Sequence, residues 1–404
     1  MRVFYLDPAL HDEVGHHANY CRYIVGEIRG RGVETLVFGH EELPARLRAE
    51  LGATGHFRVY TYTNNDDDPF CAWLTGFDTL TRQTIEDLSR LPRVAAEDLI
   101  FINSVRPIQV AALIEWRSAM PPERRPPIVI DAVATGLDVG RTAGGFRVTV
   151  PDPRMDPRAA LFRSIAKRLP REAGARFHFC TFGPVPTELF RLLLDFPVRT
   201  LPSPYRAVAP LRNRAGARPV TVSVLGHQRA LKGFDLLPEI IRDLLRARPD
   251  IRLFVQSVAS RNGAVPQQKL REMAQSTERL TVEETPAGKA RWARLLEMAD
   301  LVLCPHRPEF YVAGFSAVLN EVIANGIPAV VPAGTTLETM VQDCGGPGSA
   351  FERFDSASIV AATSRVLDEF DRFATLAHTA ALRWPETRGP ARLVDELLSL
   401  AVAG

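Results

Sequence analysis

The sequence predicts an α/β protein of two domains, each a parallel sheet flanked by helices. Three observations carry that expectation. Short apolar runs alternate with longer helical patterns along all 404 residues, and the alternation restarts near the middle. With 46% apolar and 24% charged residues, the chain can fill two cores without disulfides or structural metals. Its length fits two to three domains of about 150 residues.

Taken in order, strands are expected near residues 3–6, 34–38, 57–62, 99–103, 128–132, 177–181 and 198–202, with helices between most of them. The second half restarts with VTVSVLG from Val220, a helix over about 234–248, then IRLFVQSV from Ile251, LVLCP from Leu301 and IPAVVP from Ile327. Between the halves, SPYRAVAPLRNRAGARP from Ser203 is rich in Pro, Arg, Ala and Gly and has no periodicity, so it reads as a linker. The expected division is a first domain over 1–204, a linker over 205–218, a second domain over 219–380 and a C-terminal segment over 381–404. Open α/β sheets bind ligands at the carboxyl edges of their strands, so two such domains predict a site in an interdomain cleft.

Charge narrows the partners. The 49 basic residues nearly balance the 47 acidic ones, and a net charge of +2 is too small for a surface that coats nucleic acid. All the basic residues are arginines except Lys167, Lys232, Lys269 and Lys289, so a lysine in this chain is informative. Cys21, Cys71, Cys180, Cys304 and Cys344 are scattered, with neither C-x-x-C nor zinc spacing, and read as free thiols of a reducing compartment. The chain enters directly into RVFYLDP without a charged-then-apolar leader, and no window approaches 18 uninterrupted apolar residues, so a cytoplasmic, non-spanning protein is expected.

The most informative stretch is GHQRALKGFDLLPEI from Gly226, which follows a strand and leads into a helix. A strand, a glycine-containing loop and a helix start converge unpaired N–H groups and the positive dipole end on one spot, an anion site to which Lys232 and Arg229 add full charges. The second stretch runs from Ala299 as ADLVLCPHRPEFYVAGFSAVLNEVIANGIPAVVPAG. Its helix is expected to begin at Gly314, Phe315 and Ser316, with Ser316 as cap and a second anion cradle at its start. Glu321, one to two turns in, is badly placed for phosphate and well placed to accept hydrogen bonds from sugar hydroxyls.

These residues resemble the retaining glycosyltransferases of family 4, over most of the second half. That family's G-R-L-x-x-x-K-G-x-D-L-L loop is matched by Gly226, Lys232, Gly233, Phe234, Asp235, Leu236 and Leu237. Its E-G-F-G-x-x-x-x-E-A-x-A-x-G-x-P segment is matched by Gly314, Phe315, Glu321, Ala324, Gly326 and Pro328. The resemblance implies a GT-B fold, two Rossmann-like domains with a terminal helix crossing back to the first. It also implies a nucleotide-diphosphate sugar as donor substrate rather than a bound cofactor, a glycan or lipid-linked acceptor, and no metal. In that family's mechanism the leaving phosphate takes the acceptor proton, and Glu321 would hold the ribose. Two positions depart: His227 stands where the loop arginine belongs, leaving Arg229 to supply the second charge, and Ala313 replaces the first glutamate of the Glu-x7-Glu pair. Glu309, four residues upstream, is the candidate to reach the sugar in its place.

The first half is less specific. EVGHHANYCRYI carries Gly15, His16, His17 and Asn19 ahead of a helix, on a loop that in the family approaches the diphosphate and the acceptor. Adjacent histidines with no completing carboxylate do not make a metal set. Asn103, Ser104 and Asp131 end strands, where α/β sheets present polar groups. The basic segment DPRAALFRSIAKRLPREAGARF from Asp156 fits either a core-packed helix or peripheral contact with an anionic membrane. NNDDD from Asn64 reads as a solvated turn. Two other readings stay open: a catalytically weak sugar-nucleotide-binding paralogue, for which Ala313 speaks, and a sugar-nucleotide epimerase of the same fold, which needs paired acids and histidines.

Overall fold

The computed structural model describes residues 1–13, 16–63, 72–142, 145–171, 175–227, 229–258 and 264–402. The chain divides into two compact units: residues 1–139, 146–204 and 388–404, and residues 140–145 and 205–387.

The first unit is built on β1 (Val3–Leu6), β2 (Thr35–His40), β3 (Ala53–Phe57), β4 (Leu99–Val105) and β5 (Ile128–Ala132). A two-stranded hairpin of β6 (Asp138–Thr142) and β7 (Gly145–Thr149) follows, and β8 (Phe177–Phe182) and β9 (Val198–Leu201) complete the sheet in the order β3-β2-β1-β4-β5-β8-β9. Its pairings are parallel. Helices cover both faces, so VFYL, LIFINSV and IVIDA run apolar almost without interruption and are buried throughout. Phe4, Leu6, Ile100, Ile102, Ile128 and Ile130 form one face of the core with Leu113, Phe162 and Phe190.

The second unit repeats the plan with β10 (Val220–Val224), β11 (Ile251–Gln256), β12 (Leu280–Glu283), β13 (Leu301–Leu303), β14 (Ala329–Pro332) and β15 (Gly348–Phe351), in the parallel order β12-β11-β10-β13-β14-β15. Both sheets therefore reverse direction of growth once, between β1 and β4 and between β10 and β13. At such a point the two crossovers leave in opposite directions and the carboxyl ends of the strands border an open crevice, where α/β sheets place their ligands.

Three features differ from the expectation. The strand expected over 57–62 is β3, which ends at Phe57; Tyr60 and Tyr62 instead meet edge to face, ring centres 5.5 Å apart, in the segment that follows. Aromatic alternation alone cannot tell a ladder from an edge-to-face ring contact. Residues 205–218 are no loose tether but belong to the second unit. There Arg214, 1% exposed, donates to the carbonyls of Ala299, Leu296, Asn325 and Gly326, and the Asn325 side chain accepts from Val208 and Ala209 N–H. The hairpin was not anticipated by the sequence reading, although Phe146, Val148 and Val150 alternate with polar residues along and just past its second strand. The last helix, Pro390–Val402, belongs to the first unit, where Asp395 and the Ala391 carbonyl accept from Arg31 on the helix His17–Gly30.

Candidate functional site

In the second unit, the loops after β10 and β13 meet at the sheet reversal. Gly226, at φ +94°, turns the chain out of β10, and its N–H donates to Gln256 Oε1 at 2.7 Å. A Cβ there would come within 2.9 Å of Val318 and 3.3 Å of Lys232 Nζ, so the ammonium lies against this turn. A 3-10 turn, Ala230–Lys232, follows, and Gly233 at φ +74° ends it. A Cβ on Gly233 would fall 1.9 Å from the Pro305 carbonyl oxygen, an impossible contact, so only glycine lets the two loops close on each other. Arg307 locks them: its N–H donates to Leu231 O, its Nε to Ala230 O, and its guanidinium pairs with Asp235 at 2.5 Å.

Lys232 is the electrostatic centre of this junction. Part of its side chain still reaches solvent, yet the ammonium lies against the Gly226 turn and beside Cys304, and burial pulls its pKa down to about 8. Among the described residues no carboxylate lies within ion-pair distance of it. Cys304 is buried and its thiol is pushed up to about 12, so it stays protonated beside the cation. Arg229 is exposed and close enough to oppose the lysine's charge; His227 is half-buried.

His306 was not singled out by the sequence. It is 3% exposed, neither ring nitrogen has a hydrogen-bond partner among the described residues, and its ring lies 4.5 Å from that of Tyr311. Burial, with Lys232 nearby, holds its pKa well below the usual value, so it is a neutral imidazole. A histidine three residues beyond an apolar LVL run at a sheet reversal was the available signal. Beyond it, Pro308–Tyr311 makes one helical turn that leaves Glu309 exposed and 3.7 Å from Arg307. Gly314 and Phe315 then lead to Ser316, which caps the helix Ala317–Ala324 by accepting the Leu319 N–H at 3.3 Å. Phe315 stacks on Tyr205. Glu321 is buried in that helix and accepts the Trp292 indole N–H at 2.7 Å.

In the first unit, the reversal between β1 and β4 carries a buried polar cluster. Asp7, one residue past β1 and fully buried, accepts from the Ala9 N–H at 3.1 Å, Asn103 Nδ2 at 2.8 Å, Tyr5 OH at 3.4 Å and His17 Nδ1 at 3.0 Å. His17 opens the helix His17–Gly30, and its Nε2 lies 3.3 Å from Tyr62 OH. Asp131 on β5 is fully buried; burial first, then Asp7, pushes its pKa well above the carboxylate range, so it is a neutral acid. Ser104 sits beside Asn103 at φ +57°, a strained backbone for a serine. The structure thus gathers His17, Asn103 and Asp131 with Asp7, which sequence reading missed although a carboxylate directly after the first strand was legible. His16 is the cap residue of the helix, its pKa lowered by burial. Asn19 serves Arg22 instead, accepting from its guanidinium at 2.9 Å. Gly15 and NNDDD at 64–68 lie outside the described residues.

One group of metal-ligating type occurs among the described residues: His11, His40 and Glu42. It does not fit a metal as it stands. His40 Nδ1 accepts the Glu42 N–H at 3.2 Å, which leaves the proton of a neutral ring on the other nitrogen. The basic segment forms the helix Arg158–Ala166, whose Phe162 and Ile165, with Leu169 beyond it, are buried in the core, while Arg163, Lys167 and Arg168 face solvent. Among the described residues no helix is long and apolar enough to cross a membrane.

The model of a family described as family 4 glycosyltransferase in conflict systems matches residues 159–401. No curated protein matches the sequence. Among solved structures, sucrose-phosphate synthase from Thermosynechococcus elongatus is similar at 15% identity and a TM-score of 0.66, over 99% of this chain and 98% of that one. Anabaena HepE in complex with UDP is similar at 13% identity and 0.62, over the whole of both chains. UDP-GlcNAc 2-epimerase from Neisseria meningitidis, bound to UDP-GlcNAc, follows at 10% identity and 0.57, again over both whole chains. The two parallel sheets with their helices are the GT-B architecture of these proteins.

Proposed function

Since the chain belongs to the family 4 glycosyltransferases of conflict systems, we propose that it moves a hexose-type sugar from a nucleotide-diphosphate donor to a hydroxyl of a glycan or lipid-linked acceptor, with retention of configuration and without a divalent metal. The observation that carries this reading is Lys232: an ammonium desolvated at a sheet reversal with no counter-ion among the described residues. Such a charge is costly to hold and becomes favourable once a dianion sits beside it. Arg229 adds a second charge, His306 a neutral N–H donor, and the N–H groups at the start of the helix Ala317–Ala324 a dipolar one. Together they stabilise charge growing on the departing diphosphate, the task a metal ion performs elsewhere. Glu321, oriented by Trp292, receives the ribose hydroxyls.

A second reading is favoured by one observation. An epimerase needs acids and imidazoles grouped together, and Asp7, His17 and Asp131 form such a group in the first unit.

Incubation with UDP-, GDP- and dTDP-sugars separates the two: a transferase releases nucleotide slowly to water, whereas an epimerase returns an altered sugar still bound to its nucleotide. Lys232→Ala should lower nucleotide release by about 2–4 kcal/mol of transition-state stabilisation. Release at the unmodified rate in that variant would remove Lys232 from the reaction.

A further inference from the structure

We propose that Trp292 is a positioning residue that makes this chain select a ribonucleoside diphosphate sugar over its 2′-deoxy counterpart, by holding the Glu321 carboxylate in one orientation for the two ribose hydroxyls. The inference rests on the sugar-transfer reading, in which Glu321 meets the ribose. It adds the class of donor and the residue that sets it.

Every group involved lies in the second unit. A Cβ on Gly226 would come within 2.9 Å of Val318 and 3.3 Å of Lys232 Nζ, so the second residue of the helix Ala317–Ala324 packs on the turn that carries the ammonium. Glu321 stands three residues further on, on the same face of that helix and about 5 Å along its axis. Helical side chains lean toward the start of their helix, which brings the carboxylate back toward the turn. A diphosphate at Lys232 therefore places the pentose joined to it within reach of Glu321. Trp292 arrives from a different element, as the fourth residue of the helix Lys289–Met298, which begins past the carboxyl end of β12. Arg291 beside it pairs with Glu283, the last residue of β12, and this ties the start of the helix to the strand. The indole is half-buried and donates its N–H to Oε2 of Glu321 at 2.7 Å, while Glu321 itself is 3% exposed. A bond of this length to an ionised acceptor is a strong one.

Fixing the carboxylate is what turns a contact into a selection. A carboxylate free to rotate follows whichever hydroxyl is present, and a missing 2′-hydroxyl then costs little. Pinned by the indole, it keeps one geometry, to which ribose brings two neighbouring donors and deoxyribose one. In a buried site the bond left unmade is expensive, so the analogue that lacks the hydroxyl is rejected. The rigid ring also spares the ordering cost that a flexible donor would add on binding.

The test titrates the intact chain with UDP, GDP, 2′-deoxy-UDP and 2′-deoxy-GDP, as wild type, Trp292→Phe, Glu321→Leu and the double variant, with thermal melting to verify folding. The wild type should bind a ribonucleotide about 10- to 100-fold more tightly than its deoxy form. Trp292→Phe, which keeps a ring and removes the N–H, should weaken the ribonucleotide, leave the deoxy form nearly unchanged and so lose most of that ratio. Glu321→Leu should lose it too, which keeps the proposal testable should Trp292→Phe not fold. Adding Trp292→Phe to Glu321→Leu should change the ratio no further, because the indole acts through the carboxylate. Equal affinity of the wild type for the two forms overturns the proposal. So does a Trp292→Phe that weakens both forms alike with the ratio kept, as a merely structural indole would, or a double variant whose ratio falls below that of Glu321→Leu. Any of these leaves the transfer reading standing, whereas a wild-type chain that binds none of the four nucleotides sinks that reading and the selection with it.

Discussion

Lys232 and Asp131 both carry titratable groups shifted by desolvation, and the shifts have opposite signs. Burial lowers the lysine to about 8, so in the free chain the ammonium is present below that pH and lost above it. Nucleotide diphosphate should therefore bind more weakly as pH rises through about 8, and titration of Lys232→Ala should show no such step. For Asp131 the folded state holds a proton that the unfolded chain gives up above about pH 4. The native form binds more protons there, so this residue makes the protein less stable as pH rises from that value. Asp131→Asn, neutral at every pH, should melt progressively higher relative to wild type from pH 5 to pH 8. A constant difference would mean that Asp131 is ionised in the native state. Neither shift was legible in the sequence, since a lysine or an aspartate at a strand end reads the same whether wet or dry; only the scarcity of lysine singled out Lys232.

At the scale of elements, what the sequence revealed was periodicity and what it concealed was burial without periodicity. β1 and β5 match the expected 3–6 and 128–132, because a strand covered by helices on both faces is a continuous apolar run. The helix cap at Ser316 was legible from the chemistry of a serine before an apolar segment. Residues 205–218 were not, because their attachment depends on a guanidinium spanning four carbonyls and on the Asn325 side chain rather than on any pattern. Arg214→Ala should accordingly destabilise the second unit by about 3 kcal/mol or more, having left those buried carbonyls unsatisfied, whereas a surface arginine such as Arg242 should cost under about 0.5 kcal/mol. Denaturant unfolding of both variants measures the contrast. The two loops of the lysine junction were each visible as motifs, but their closure through Gly233 onto Pro305 was not. Gly233→Ala should separate them and abolish nucleotide binding, which titration of the variant with UDP, GDP and dTDP reads.

For the molecule as a whole, the chain order hides the composition of the first unit, which is completed by residues from the far end. Leu393, Val394, Leu397 and Leu400 of the last helix are buried, each worth about 1.5–3 kcal/mol. A chain ending at Thr387 should lose the calorimetric transition of the first unit while the second, with all of its lysine junction, still binds nucleotide. Both activities proposed for this chain, transfer and epimerisation, would begin with a nucleotide diphosphate, and the place proposed for it is Lys232, so that contact is the claim on which the rest stands. Calorimetric titration of the intact protein with UDP, GDP and dTDP, wild type beside Lys232→Ala, tests it most directly. One of the three should bind, and the variant should bind it at least about 30-fold more weakly, the equivalent of about 2 kcal/mol. Equal affinity in the two proteins, or no binding of any of the three by the wild type, would contradict it.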